Sequence, residues 1–430
     1  MVDFIVNELR HKRILILGFG REGKSSLKFI TEKLMDAETG IADQQAIDLS
    51  SIKLHHNQKL HLHTGPDYLK AIPDYDLVLK SPGISLRGVP TGKARISSQT
   101  DLFLAYFAHQ VIGISGTKGK STTSTLIHHI LSAAGFDSIL TGNIGIPCFD
   151  IMHRITDESL VVFELSANQL ENVRHSPHIA VLLNIFEEHL DHFGTYEAYR
   201  QAKYNLMRYC QPGDTMICHR DVWPSDALCK ANRLLFPTEP AIVTVPPLSL
   251  PGQHNSLNIE AALLAVALAG VPLDEARRHV RSFKGLPHRI ELVGTFGGVT
   301  FYNDSIATIP EAAIAAIRTI EKVDFLILGG FDRGIAYQSL IDFLSANPVQ
   351  HILFTGEAGK RISEGLHLAG TNSAMHYFDS MSEAMKIVDK LAKDGNTCLL
   401  SPAAASYDQY KNFEQRGDLF KQLALNFRNP

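Results

Sequence analysis

Residues 113–123, Gly-Ile-Ser-Gly-Thr-Lys-Gly-Lys-Ser-Thr-Thr, follow an apolar run, Val111 to Ile114, and lead into a helix expected to begin near Lys120. Glycines at 116 and 119 let backbone N–H groups close around phosphate oxygens, and the positive end of the helix dipole favours the anion. Lys120 can reach β- and γ-phosphates, and the Ser121 hydroxyl can reach Mg2+. The loop is shorter than a full Walker pattern. A Gly/Ser-rich turn is the plain alternative. Read as a phosphate loop, it indicates a nucleotide without saying which reaction follows.

The chain has 430 residues, long enough for two or three domains, and its 45% hydrophobic content supports substantial cores. Forty-five acidic against 41 basic residues give a formal charge of −4. That balance argues against a broad nucleic-acid-binding face. Five cysteines (148, 210, 218, 229 and 398) show neither zinc spacing nor a disulfide pattern and read as reduced structural thiols of a cytoplasmic protein. No signal-peptide core and no bilayer-length apolar run are present, so no stable membrane insertion is expected.

Around the loop, short apolar runs alternate with polar linkers, as in α/β layers. The run RILILGFG precedes a helix expected over 23–34, and Gly18, Gly20 and Gly23 make a dinucleotide-like turn. Such a turn either meets a diphosphate or simply joins strand to helix. Asp43, near the end of a second strand, suits a ribose or base contact or a solvated loop. Ser81-Pro82-Gly83-Ile84 follows another strand and offers a further phosphate-facing turn. Two central strands end in polar groups: VVFEL at Glu164, and VLLN ahead of His189. In a parallel sheet ligands collect beyond the strand C-termini, which would bring the loop, Glu164 and His189 into one cleft. Glu164 can coordinate Mg2+, and His189 can bind a second Mg2+ or orient a substrate oxygen. Helix capping or plain surface placement is the alternative for each. His254, Asn255 and Asn258 open a helix-like segment, where they either cap it or contact adenine and ribose. Beyond Gly285 and Pro287 a third α/β segment begins. Its Asp304, Arg333 and Ser406 fall in loop settings, and its last helix is expected to start near the serine-rich turn of TCLLSPAAASYDQYKNF.

The ordered set of motifs resembles the Mur ligases over nearly the full chain. It comprises SPGI at 81–84, SGTKGKSTT at 115–123, TGNIG at 141–145, ELSANQLE at 164–171, LNIFEEHLD at 183–191 and EAYRQAK at 197–203. It continues with PGQHNSLN at 251–258, GLPHR at 285–289, NDSIAT at 303–308, LGGFDRG at 328–334 and LLSPAAASYDQYKNFEQRG at 399–417. The last block favours the branch that adds D-glutamate.

The resemblance implies an α/β, three-domain architecture. An N-terminal Rossmann-like UDP-substrate domain would occupy 1–106, a central P-loop ATPase-like domain 107–288, and a C-terminal Rossmann-like amino-acid domain 289–430. The implied reaction is ATP-dependent ligation of D-glutamate to UDP-N-acetylmuramoyl-L-alanine by a cytoplasmic monomer. The resemblance gives Gly116, Thr117, Lys118, Gly119, Lys120, Ser121, Thr122, Asn258, Arg289 and Asp304 to ATP. It gives Ser121, Glu164, His189 and Lys203 to Mg2+, with Lys203 carbamylated, since an ammonium has no acceptor for a metal. Asn143 would lie by the acyl phosphate; Gly18, Gly20, Asp43, Ser81 and Gly83 would bind UDP; Thr308, Arg333, Ser406 and Phe413 would bind D-glutamate. The chain departs from the family at Ile306 and Ile309, usually lysine and asparagine, at Ala167 and Asn168, and in SPAAAS, which lacks a frequent cysteine. Losing a cation at 306 leaves room for compensation by Arg333 or for a different amino acid, L-glutamate included. A scaffold that binds ATP without catalysis is the alternative of a different class.

Overall fold

The computed structural model describes residues 3–49, 58–225, 228–243, 250, 252–320 and 322–428. Pro251 of the PGQHNSLN motif lies outside them. The first sheet contains strands β1 (Ile14–Leu17), β2 (Glu38–Asp43), β3 (Lys59–Thr64), β4 (Leu77–Lys80) and β5 (Arg95–Ser97), all parallel in the order 3-2-1-4-5. The second contains β6 (Val111–Ser115), β7 (Ser138–Gly142), β8 (Leu160–Glu164), β9 (Ile179–Leu182), β10 (Thr215–His219) and β11 (Asn232–Phe236), parallel in the order 11-10-9-6-8-7. The third contains β12 (Glu291–Phe296), β13 (Val299–Asn303), β14 (Phe325–Gly329), β15 (His351–Thr355), β16 (Ala374–Tyr377) and β17 (Thr397–Leu400) in the order 12-13-17-14-15-16, with β12 antiparallel at its edge.

Every residue of β1, β4, β6, β9 and β14 is buried. Helices on both faces demand this of a parallel sheet, which explains why these strands read as unbroken apolar runs rather than as alternation. These helices begin close to expectation: Arg21–Lys33 after the first glycine turn, Lys120–Ala133 after the 116–119 loop, and Gln253–Leu268. The last helix differs. It starts at Phe413, not at the serine-rich turn, because residues 401–412 form a run of turns and bends capped by Asn412, whose side chain accepts from Gln415 N.

The chain forms two compact units, Met1–Thr244 with Ser256–Val280, and Val245–Asn255 with Arg281–Pro430. Within the first, one apolar core runs from the first sheet into the second. Phe29 meets Phe149 at 4.8 Å between ring centroids, and Phe103 meets Phe163 at 5.5 Å. The second unit buries an apolar cluster on each face of the third sheet.

Candidate active site

Strand β6 lies between β9 and β8, where the connections leave in opposite directions. That topological switch point is where an open parallel sheet leaves a crevice, and the loop at 116–119 starts there. Gly119, at φ +86, caps the Lys120–Ala133 helix. A Cβ at Gly119 would lie 2.3 Å from Asn258 Oδ1, so only glycine lets the loop and the Gln253–Leu268 helix approach this closely. Lys120 turns back over the loop, donating to the carbonyls of Gly116 (2.9 Å) and Thr117 (3.0 Å). Ser121 opens the helix half-buried, with Thr122 buried behind it. Lys118 points outward and pairs with Glu188.

Glu164 ends β8, fully buried, beside β6. Its carboxylate accepts from Asn143 Nδ2 at 2.7 Å and from Ser124 Oγ at 3.4 Å. Asn143 also donates its backbone N–H to the Glu164 carbonyl at 2.9 Å. Gly142 makes this approach possible, since a Cβ there would sit 2.3 Å from the same carbonyl. Loop, Glu164 and Asn143 therefore form one group.

Lys203 enters from the Tyr196–Arg208 helix. It is 1% exposed, donates to the Gly116 carbonyl at 2.8 Å and lies 4.9 Å from the centre of the Tyr199 ring. Burial, reinforced by the Lys120 ammonium, holds the Lys203 amine well below its ordinary value. His189 also neighbours Tyr199, 6.0 Å between ring centroids, at φ +57 and half-exposed. Among the described residues no cluster of three or more His, Cys, Asp or Glu side chains could hold a metal. The donor set near the loop is one buried carboxylate and one hydroxyl. Such a set suits a Mg2+ ion that takes its remaining ligands from phosphate oxygens and water.

In the first sheet, Gly18, Asp43 and Ser81 meet at the C-terminal ends of β1, β2 and β4. Asp43 accepts from Phe19 N (2.7 Å) and Gln45 N (2.8 Å), while Ser81 Oγ donates to the Gly18 carbonyl at 2.9 Å. Gly20 caps the following helix, and Gly83 is exposed. In the second unit, Arg333 Nη2 donates to the Thr308 carbonyl at 2.7 Å, Ser406 is buried, and Phe413 packs edge-on to His288 with ring centroids 6.0 Å apart. Asp304 lies in the interior rather than on an open loop. Its oxygens accept from Ser401 Oγ (2.8 Å) and Ile290 N (3.1 Å), and burial pushes its pKa up to about 7. Arg289 is the cation next to it.

Three supporting groups escaped the motif reading. Asn184, closing VLLN, accepts on its side-chain oxygen from Thr117 N (3.0 Å) and Lys118 N (2.9 Å) and so shapes the loop. The Tyr199 hydroxyl meets Thr117 Oγ1 at 2.9 Å. Lys80, 2% exposed at its side chain, pairs with Glu171 at 3.0 Å, and Glu171 meets His192 at 3.3 Å. The terminal polar residue of an apolar strand was the available signal for Lys80, while Asn184 and Tyr199 lay within quoted motifs but were given no role.

A lysine-bearing glycine loop thus lies at the switch point of a parallel α/β sheet, with a buried carboxylate on the next strand. Residues 114–234 match the Mur ligase middle domain, and residues 288–404 match the Mur ligase glutamate ligase domain. The chain belongs to the Mur ligase family. The UDP-N-acetylmuramoylalanine–D-glutamate ligase of Symbiobacterium thermophilum is 36% identical over 394 residues, covering 84% of this chain and 86% of the relative. The ligase of the same name from Geobacillus kaustophilus is 33% identical over 442 residues, covering 96% and 97%. Among solved structures, a MurF ligase from Thermotoga maritima in complex with ADP superposes with a TM-score of 0.57 at 17% identity, covering 98% of this chain and 97% of that one. A UDP-N-acetylmuramate–alanine ligase from the same organism gives 0.55 at 16%, covering 96% and 99%. At these identities the likeness is one of fold, and it is the three-domain Mur ligase architecture. No helix among the described residues is long and apolar enough to cross a membrane.

Proposed function

We propose that the chain joins D-glutamate to UDP-N-acetylmuramoyl-L-alanine at the expense of ATP, in peptidoglycan precursor synthesis, acting as a cytoplasmic monomer. The observation that carries this reading is the grouping of the 116–122 loop, Lys120, Glu164 and Asn143 in a chain that matches D-glutamate ligases over most of its length. Residues 1–106 are assigned to the UDP substrate, 107–288 to ATP and 289–430 to the amino acid, one sheet to each.

A carboxylate is a poor acyl donor because its oxygen is a poor leaving group. Transfer of the γ-phosphoryl group of ATP to the alanine carboxylate gives an acyl phosphate and ADP. The amine of D-glutamate then attacks the carbonyl carbon, and the tetrahedral intermediate expels phosphate to leave the amide. The loop N–H groups and Lys120 hold the transferring phosphoryl group and spread its charge. Asn143 fixes the Glu164 carboxylate on one side and presents its exposed amide to the acyl group. Asn258, Arg289 and Asp304 are assigned to the nucleotide; Gly18, Gly20, Asp43, Ser81 and Gly83 to UDP; Thr308, Arg333, Ser406 and Phe413 to the amino acid. Arg333 suits a side-chain carboxylate through its two-donor fork.

Mg2+, held by Ser121 and Glu164, would offset the crowded phosphate charge. A second site at His189 would need Lys203 to carry an anionic group. A buried neutral amine is the form that adds CO2 to give a carbamate, which fits the depressed pKa of Lys203.

Product mass and ADP release, measured with ATP, Mg2+, UDP-N-acetylmuramoyl-L-alanine and D-glutamate, L-glutamate or other amino acids, test the reading. Selective D-glutamate adduct formation is expected. Selective use of another amino acid would keep the ligation chemistry and refute the substrate, a contrast that the apolar, half-buried Ile306 makes informative.

A further inference from the structure

Arg416 lies in the first turn of the Phe413–Leu425 helix, 3% exposed. Its guanidinium reaches two places along the chain, Ser305 and Ala404–Ala405. Nε donates to Ser305 Oγ at 3.0 Å, Nη2 to the carbonyls of Ser305 (2.9 Å) and Ala404 (3.1 Å), and Nη1 to the carbonyl of Ala405 at 3.3 Å. Ser305 Oγ passes the connection on, donating to the Phe413 carbonyl at 2.8 Å. The Ala405 carbonyl also accepts from Phe331 N at 2.9 Å, which ties in the loop that carries Arg333.

Among the described residues no carboxylate lies within ion-pair distance of this guanidinium. Burial lowers its pKa to about 10, opposed by Asp408 and Tyr410, so it stays cationic at neutral pH. A buried cation satisfied by neutral oxygens, three carbonyls and the Ser305 hydroxyl, is costly. Its planar fork does what a lysine cannot: it serves several fixed acceptors at once. The turn needs those donors. Ala403 is in the left-handed region at φ +54, and the carbonyls of Ala404 and Ala405 that follow it accept from the guanidinium.

We infer that Arg416 is the positioning residue of the amino-acid site. It fixes together the four segments that present Thr308, Arg333, Ser406 and Phe413, and it adds an inward positive field for a dicarboxylate. The inference rests on the proposed assignment of those four residues to the amino-acid substrate.

The test compares wild type, Arg416→Lys, Arg416→Met and Ser305→Ala in steady-state ligation, with separate KM values for ATP and for whichever amino acid the wild type accepts. Expected is a rise of at least tenfold in the amino-acid KM for Arg416→Lys, a larger rise for Arg416→Met, and a KM for ATP within twofold of wild type. Ser305→Ala keeps the guanidinium but breaks the link to Phe413. It is expected to raise the amino-acid KM about threefold to fivefold, and it carries the test if the arginine variants do not fold. Amino-acid KM values within twofold of wild type in the folded variants, or parallel rises in both KM values, would overturn the inference. The wild-type arm reports separately on the ligase reading, since it alone shows which amino acid is joined.

Discussion

Lys120 and Lys203 donate to one carbonyl oxygen, that of Gly116, at 2.9 and 2.8 Å. The two amines share an acceptor and oppose each other's charge, and burial makes Lys203 the one whose pKa falls well below its ordinary value. The phosphate loop is thus coupled to the protonation state of a helix 87 residues further along the chain.

The first prediction concerns that coupling. In the unfolded chain Lys203 holds its proton up to about its ordinary value of 10.5; in the folded chain it loses it well below that. Between those values the unfolded state binds more protons, so Lys203 makes stability rise with pH. Lys203→Met removes the group. Denaturant unfolding in CO2-free buffer at pH 7 and 9.5 should show wild type gaining stability relative to Lys203→Met at the higher pH. Ligation by the variant should drop at least 100-fold. Equal pH slopes for the two proteins would mean that Lys203 is charged in the fold.

Gly119 supplies the second. Alanine there must adopt φ +86, which costs about 1–2 kcal/mol, and must displace Asn258 Oδ1 from 2.3 Å. Gly119→Ala should raise the KM for ATP at least tenfold and lower unfolding stability by a similar 1–2 kcal/mol. Adding Asn258→Ala should return part of the stability loss, because the displaced atoms are then gone. Strict additivity in that double-mutant cycle would show that the two residues are not in contact.

Most of the fold was legible because its strands are buried on both faces and stand out as apolar runs: Ile14–Leu17, Val111–Ser115 and Phe325–Gly329 are examples. The turn at 116–119 was legible because positive φ and close approach demand glycine at Gly116 and Gly119. What sequence reading did not yield is set by tertiary approach. Nothing in the spacing of Lys80, Glu171 and His192 shows that they converge, since their separation in the chain carries no period. Asp304 looked like an open loop carboxylate because it follows a strand. Ser401, 97 residues away, is what draws it inward. Arg416 had no role in the sequence reading, and only the turn at 401–406 and Ser305 reveal its partners.

The third prediction follows from that burial. The folded-state pKa of Asp304 is raised to about 7 from an ordinary 3.8. Between these values the folded state binds the extra proton and the unfolded state does not. The stabilising contribution is full below pH 3.8 and is lost as pH rises through 7. Asp304→Asn keeps an oxygen able to accept from Ser401 or Ile290 and never ionises. Unfolding of wild type, followed from pH 4 to 8, should show stability falling relative to Asp304→Asn across that interval. The variant should therefore be the more stable protein at pH 8. A wild type that gains stability relative to the variant over the same range would show the opposite: a carboxylate held charged by Arg289 rather than one pushed toward neutrality by burial.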